Sequence, residues 1–339
     1  MPISWTLTAH TLPLRYVWKI ARNASDAKTN LVVHVSQGGA SGRGEAAPNV
    51  RYGESPALLQ AQFDDLLHHG LPAADTLASL TELLAAQPVA HALRFALEAA
   101  LTHYLATRAQ QPVWQWLGVP APAPQVATAF SLPIMEPGEV AGFFRAQQAG
   151  RFSLLKVKVN QEAGLDLLRA VAQASPGQPL LVDGNETWPD ADGVLRFLEA
   201  TAAVPGLQLR YLEQPLPAAR AADYRYLHTR VQVPLMADES VTDEADFEAI
   251  AQQFHGVNVK LMKAGGYQRG IELLRRTRAH GLLPMLGCMV ETTLGIWSAL
   301  QVSALADIHD LDGSLIIRDE PFGLVNEADG KLTALTAHP

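Results

Sequence analysis

Leu154-Leu155-Lys156-Val157-Lys158-Val159 sets two lysines two residues apart in an otherwise apolar run. In a strand, the period of two puts both ammonium groups on one face, about 7 Å apart. At an effective dielectric of about 20, charges at that separation repel by roughly 2 kcal/mol. The repulsion favours the neutral form of one lysine and makes it a base usable near neutral pH. The same six residues also fit an edge strand with its lysines on the wet face. Deciding between the two requires knowing whether other strands end in groups that such a base could work with.

On both sides of this run, short apolar strands alternate with amphipathic helices at a spacing of about 25 residues. Strand candidates end near Ser131, Lys158, Asp183, Glu213, Asp238, Lys260, Cys288 and Asp310, and a helical segment fits between each successive pair. Eight strand–helix units of this kind predict an α/β parallel barrel, whose site is built at the C-terminal ends of the strands. Lys158, Asp183, Glu213, Asp238 and Lys260 all stand at such ends. The steps from Asp183 to Glu213, Asp238 and Lys260 are 30, 25 and 22 residues, each one strand–helix unit. Three carboxylates on adjacent strands repel one another unless a cation lies between them, and hard oxygen donors in this number suit Mg²⁺. Any one of them alone could be a helix cap or a surface group. In register and flanked by two strand-end lysines, they point to one site.

Upstream, residues 3 to 47 alternate and carry β-branched residues in Ile3-Ser4-Trp5-Thr6-Leu7-Thr8 and in Thr29 to Val35, which predicts a small antiparallel sheet. Between them lies the aromatic and cationic segment Leu14 to Arg22. From Ser55 to Arg108 the apolar spacing turns helical, and the Pro/Ala-rich segment 118–124 marks a boundary. The expected organisation is an α+β unit over residues 1–120 followed by the barrel.

Composition narrows the partners. With 339 residues and 48% apolar side chains the chain can bury a full core, and 26 basic against 34 acidic residues give a net charge of −8. Without a basic run, a nucleic-acid partner is not expected, and a small molecule is. One cysteine, Cys288, excludes an internal disulfide and suits the cytoplasm. No apolar run approaches the length of a membrane span, and the first residues do not read as an export signal.

The motifs Lys156-Val157-Lys158, Asp183-Gly184-Asn185, Glu213-Gln214-Pro215, Asp238-Glu239-Ser240 and Lys260-Leu261-Met262-Lys263-Ala264-Gly265-Gly266 together resemble the enolase superfamily, most closely its muconate-lactonising subgroup. Gly42-Arg43-Gly44-Glu45-Ala46 resembles that family's turn in the capping domain. The resemblance implies a modified TIM barrel, (β/α)₇β, over residues 121–317, under an N-terminal α+β cap over 1–120 that is completed by the C-terminal tail 318–339. It implies one Mg²⁺ per subunit on Asp183, Glu213 and Asp238, with Lys158 and Lys260 as acid/base groups on opposite faces of a substrate α-carbon. Lys156 would help to stabilise the enolate formed when the α-proton leaves.

Ile308-His309-Asp310-Leu311-Asp312-Gly313 places Asp310 and Asp312 on one face of the last strand, a pair that would attract a cation such as a substrate ammonium, although Asp-Gly is also a turn dipeptide. This segment resembles the strand-eight signature of dipeptide epimerases, those acting on L-Ala-D/L-Glu above all. That implies a free dipeptide N-terminus on Asp310 and Asp312, and a place in the recycling of peptidoglycan peptides. Ser131, Met289 and Glu291 align with substrate-facing positions of the family. Lys19 and Arg22, in its mobile specificity loop, are candidates for a side-chain carboxylate. Surface exposure is the ordinary fate of such lysines and arginines. A homo-oligomer fits the family as well.

The competing readings are an N-acylamino-acid racemase, an o-succinylbenzoate synthase or a cycloisomerase of the same subgroup, a non-catalytic metal or amino-acid binding protein on this scaffold, and a Schiff-base aldolase. The first three need no ammonium at Asp310 and Asp312. A binding protein needs no pair of base lysines. An aldolase needs one buried lysine and no carboxylate trio.

Overall fold

The computed structural model describes residues 3–21, 23–242 and 245–339. Long antiparallel strands come first: β1 Ser4–Lys19, β2 Ala24–Gln37 and β3 Ala40–Ala46, in the order β1-β2-β3. Three helices follow, α1 Pro56–His68, α2 Leu77–Ala85 and α3 His91–Arg108. Helix α1 starts where Ser55 accepts the Leu58 amide and Pro56 fixes the first turn. Most of α3 is buried, and it lies across β3 so closely that a Cβ on Gly44 would stand 2.1 Å from the carbonyl oxygen of Ala96. The expected sheet and helices are therefore present, with one correction. The segment Leu14 to Arg22 was expected between the strands, yet it continues β1 as far as Lys19. Alternation explains this, since Leu12, Leu14, Tyr16 and Trp18 all face Ile316 and Ile317.

After the short helix α4 Val113–Trp116 and the two-residue strand β4 Val126–Ala127, eight parallel strands form one sheet. They are β5 Phe130–Leu132, β6 Leu155–Lys158, β7 Pro179–Asp183, β8 Gln208–Glu213, β9 Leu235–Ala237, β10 Gly256–Lys260, β11 Leu283–Gly287 and β12 Ile308–Asp310, hydrogen-bonded in chain order. Helices α5 Val140–Ala146, α6 Gly164–Ala174, α7 Ala191–Ala202, α8 Ala221–His228 and α9 Phe247–Ala251 connect the first six strands in turn. Helices α10 Leu261–Ala264 and α11 Tyr267–Ala279 connect β10 to β11, and α12 Thr293–Leu300 connects β11 to β12. No helix follows β12 in the barrel, so there are seven strand–helix units and a last strand rather than eight units. The seam between β12 and β5 closes through Ala129 N–H donating to His309 O at 2.8 Å and Leu311 N–H donating to Thr128 Oγ1 at 2.8 Å.

Inside the barrel the strands run from apolar to charged. Leu181, Met236 and Met285 form a buried layer low in the barrel. One period above them come Asp183, Asp238 and Gly287. The pairings Lys158 with Asp183 and Asp183 with Glu213 place three charged side chains in one tier. Residues Leu155 and Val157 of β6 point the other way, into the fully buried layer under the helices. The lysines are thus inward residues of a central strand, not the wet face of an edge.

The tail was expected to complete the cap, and it divides its contacts. Ile316 to Arg318 pair with Pro13 to Arg15 of β1, through Arg15 N–H to Ile316 O and Arg318 N–H to Pro13 O. Beyond them β13 Val325–Ala328 and β14 Lys331–Ala334 form a hairpin whose second strand pairs with β4, a three-stranded sheet the sequence did not announce. Among the described residues no helix is long and apolar enough to cross a membrane.

Candidate active site

The cap sheet and the 3₁₀ turn Val50–Tyr52 close over the C-terminal ends of the barrel strands and leave a cleft between them. Arg51 pins this turn to the barrel, with Nε 3.1 Å from Glu186 Oε2. Ser131, Lys156, Lys158, Asp238, Lys260, Met289, Asp310 and Asp312 line the cleft. Asp183 and Glu213 lie just beneath them, fully buried. The residues singled out at the strand ends therefore converge on one place.

Charge density there is high and closely paired. Lys156 Nζ stands 2.8 Å from Glu213 Oε2, 2.9 Å from Asp310 Oδ2 and 3.3 Å from Asp183 Oδ2. Lys158 Nζ lies 2.8 Å from Asp183 Oδ2, and Lys260 Nζ lies 3.0 Å from Asp238 Oδ2. The expected mutual repulsion of Lys156 and Lys158 is thus overridden. Burial works against the Lys156 ammonium, but Asp310, Glu213 and Asp183 outweigh it and hold its pKa well above the ordinary lysine value. Lys260 is likewise raised, burial being outweighed by Asp238. Asp183 shows the converse: burial pushes its carboxyl up, and Lys158 with Lys156 brings it down below the usual range. Glu213 rises to about 7, because burial and the charges of Asp183 and Asp238 exceed the pull of Lys156.

The three carboxylates are tested as metal ligands by this arrangement. Each is turned toward a lysine, and among the described residues no three ligating groups converge at coordination distance. The donor set itself fits a hard dication: three buried carboxylates on adjacent strand ends, with charge at present balanced by ammonium groups that a dication would relieve. Their supports are built in. Asn258 Nδ2 donates to Glu213 Oε1 at 2.8 Å, and Gln214 Oε1 accepts the amides of Asp238 and Ser240 at 2.9 and 3.1 Å. Lys263, one turn beyond Lys260, does not line the cleft and donates to the Asp238 carboxylate and to the backbone of Asp238 and Asn258.

On the opposite wall, Ser131 N–H donates to Asp312 Oδ2 at 2.5 Å, and burial followed by the Asp310 charge raises Asp312 to about 7. The strand-eight pair is not separate from the carboxylate trio, since Lys156 bridges Asp310 to Glu213. Glu291 does not line the cleft; it is buried behind Met289 and accepts that residue's N–H at 2.7 Å. Lys19 is exposed and does not line the cleft, because alternation along β1 turns Trp18 inward and Lys19 out. Arg22 lies outside the described residues. Trp18 packs on the Leu12 cluster and puts its ring centroid 5.9 Å from Lys158 Nζ.

A cation the sequence reading passed over stands where Lys19 was expected. Lys28 on β2 lines the cleft half-buried, with its pKa lowered by burial. The other cations of the cleft, Arg51, Lys156, Lys158 and Lys260, face carboxylates of the chain. Lys28 shares a face of β2 with Asn30, which is buried.

A family model described as enolase C-terminal domain-like matches residues 139–320. The L-Ala-D/L-Glu epimerase of Escherichia coli K12 is 34% identical over 305 residues, 89% of this chain and 90% of its own. The L-Ala-D/L-amino acid epimerase of Pedosphaera parvula is 31% identical over 340 residues, covering 96% of this chain and 94% of its own. The chain belongs to the enolase superfamily. Among solved structures of similar fold is the dipeptide epimerase from Methylococcus capsulatus complexed with Mg and the dipeptide L-Arg-D-Lys. It is 28% identical and covers 98% of this chain and 97% of its own, with a TM-score of 0.83. The barrel with a separate antiparallel cap sheet is thus the enolase-superfamily fold.

Proposed function

We propose that this chain is a Mg²⁺-dependent isomerase that epimerises a dipeptide, L-Ala-D-Glu to L-Ala-L-Glu, by taking the α-proton with one lysine and returning it from the opposite face with another. The observation that carries this reading is the placement of Lys158 on β6 and Lys260 on β10. In a barrel of eight strands, strands four apart lie across from each other, so a substrate α-carbon held between them meets one amine on each face. The named relatives support the reaction class.

In this reading Asp183, Glu213 and Asp238 hold Mg²⁺, which when bound draws off the negative charge gathering on the substrate carboxylate as the proton leaves. Lys156, buried between the trio and Asp310, supplies a fixed positive charge to the same oxygen region. Asp312 and the Asp310 oxygen turned away from Lys156 take the dipeptide ammonium, and Lys28 takes the carboxylate of the second side chain. In a walled host the substrate would be a turnover product of peptidoglycan peptides, handled in the cytoplasm.

The test is α-proton exchange in D₂O with each epimer separately. Lys158→Ala and Lys260→Ala should each abolish epimerisation while one of them still exchanges one stereoisomer and the other the opposite one. Chelation or Glu213→Gln should abolish exchange altogether. Exchange of both epimers at the wild-type rate in either lysine variant would refute the two-base assignment. Full turnover of an N-acetylated dipeptide would move the chain to the acylamino-acid racemases.

A further inference from the structure

We propose that Glu45, a cap residue with no surface in the cleft, is a positioning residue that sets the wall receiving the N-terminal residue of the substrate. The inference rests on the dipeptide reading above. Glu45 on β3 is fully buried, and no lysine or arginine of the described residues forms an ion pair with it. Instead it gathers donors from across the domain junction. Oε1 accepts Thr292 N–H at 2.9 Å, and Oε2 accepts Thr292 Oγ1 at 2.6 Å and Gly295 N–H at 2.9 Å. These groups belong to the first turn of α12, whose unsatisfied amides make it a natural anion site that the cap here fills from outside the barrel. From the cap's side, Asn30 Nδ2 donates to Glu45 Oε1 at 2.7 Å and to Val290 O at 2.9 Å.

The loop between β11 and α12 is thereby held at Val290 and at Thr292. Cys288, Met289 and Val290 of this loop line the cleft. Its other side rests on the turn that follows Asp312: a Cβ on Gly313 would stand 2.2 Å from Met289 O and 3.0 Å from Glu291 N. A displacement of the loop therefore reaches both the Met289–Val290 wall and the Asp312 carboxylate, whereas Lys158 and Lys260 are carried by other strands, β6 and β10. Such a residue governs how well the dipeptide is held and leaves proton transfer alone.

Steady-state exchange of the free dipeptide in D₂O by the Mg²⁺-loaded enzyme separates the two effects. Glu45→Gln keeps the shape and one acceptor, and Thr292→Val removes the hydroxyl that donates to Glu45 and accepts the Leu294 N–H at the start of α12. Both should raise KM, Glu45→Gln by roughly tenfold or more, the loss of a hydrogen bond to a charged group. For both variants kcat should stay within about threefold of wild type, as expected when binding rather than chemistry is lost. Glu45→Ala should be worse than Glu45→Gln, and if it does not fold the other two variants still decide. An unchanged KM in both, or a kcat that falls as far as kcat/KM, overturns the proposal. A wild-type chain that exchanges no dipeptide α-proton overturns the dipeptide reading itself, and this inference with it.

Discussion

At the scale of the residue, the site is decided by which charges have partners inside the chain. Lys156, Lys158 and Lys260 are held by carboxylates, whereas Lys28 presents a half-buried ammonium to the cleft at some cost in desolvation. A ligand carboxylate would relieve that cost, so Lys28→Glu should invert selectivity. We expect kcat/KM for L-Ala-L-Glu to fall by at least about tenfold, the order of one charged hydrogen bond, and kcat/KM for L-Ala-L-Lys to rise. Unchanged ratios between the two dipeptides would remove Lys28 from recognition, while L-Ala-L-Ala serves as the control that catalysis is intact. The strand-end groups were legible because each interrupts an apolar run with a charge the core would not otherwise tolerate. Lys28 was not, since Ala24-Ser25-Asp26-Ala27-Lys28-Thr29 has no apolar alternation to give its face away. Only its pairing with β1 shows that Lys28 and Asn30 look at the barrel.

At the scale of the element, the same physics explains what could be read and what could not. The barrel strands were placed almost to the residue because buried parallel strands are continuous apolar runs with abrupt polar ends. Strands β13 and β14, by contrast, mix polar and apolar residues over four positions each, and their partner β4 has two. Their pairing is a tertiary event with little local signature. The β3–α3 contact was legible only as a glycine-containing motif, and the structure supplies its reason. Gly42 and Gly44 sit where a Cβ would stand 2.2 Å from Ala100 O and 2.1 Å from Ala96 O, both backbone atoms of a buried helix. Neither atom can move without shifting α3 against the sheet. Gly44→Ala should therefore destabilise the cap by about 1–3 kcal/mol or more, the usual cost of overpacking a core. Thermal denaturation would register it as a lower Tm, and a Tm equal to wild type would show that the helix can retreat freely.

At the scale of the whole molecule, cap and barrel are joined through buried acids, and this gives stability a pH dependence with a definite sign. Glu291 is pushed up to about 8 by burial and then by the Glu45 charge, while Glu213 and Asp312 rise to about 7. For each, the folded state keeps a proton that the unfolded chain has already lost, so stability falls as pH rises through the folded value. Buried His103 works the other way, its pKa lowered to about 3 chiefly by burial, but it affects stability only below the ordinary histidine value. Between about pH 6.5 and about pH 8.5 the raised acids therefore decide the slope. Without added dication or substrate, Tm should fall across that window. Glu291→Gln removes one contributor while keeping the acceptor that meets the Met289 amide, so its Tm should fall less over the same range. Glu291 is the group to change, because Glu213 and Asp312 are also proposed to touch metal or substrate, and any variant there would mix stability with binding. Parallel slopes for wild type and Glu291→Gln would mean that Glu291 is already ionised beside Glu45, and that the junction tolerates two adjacent buried charges.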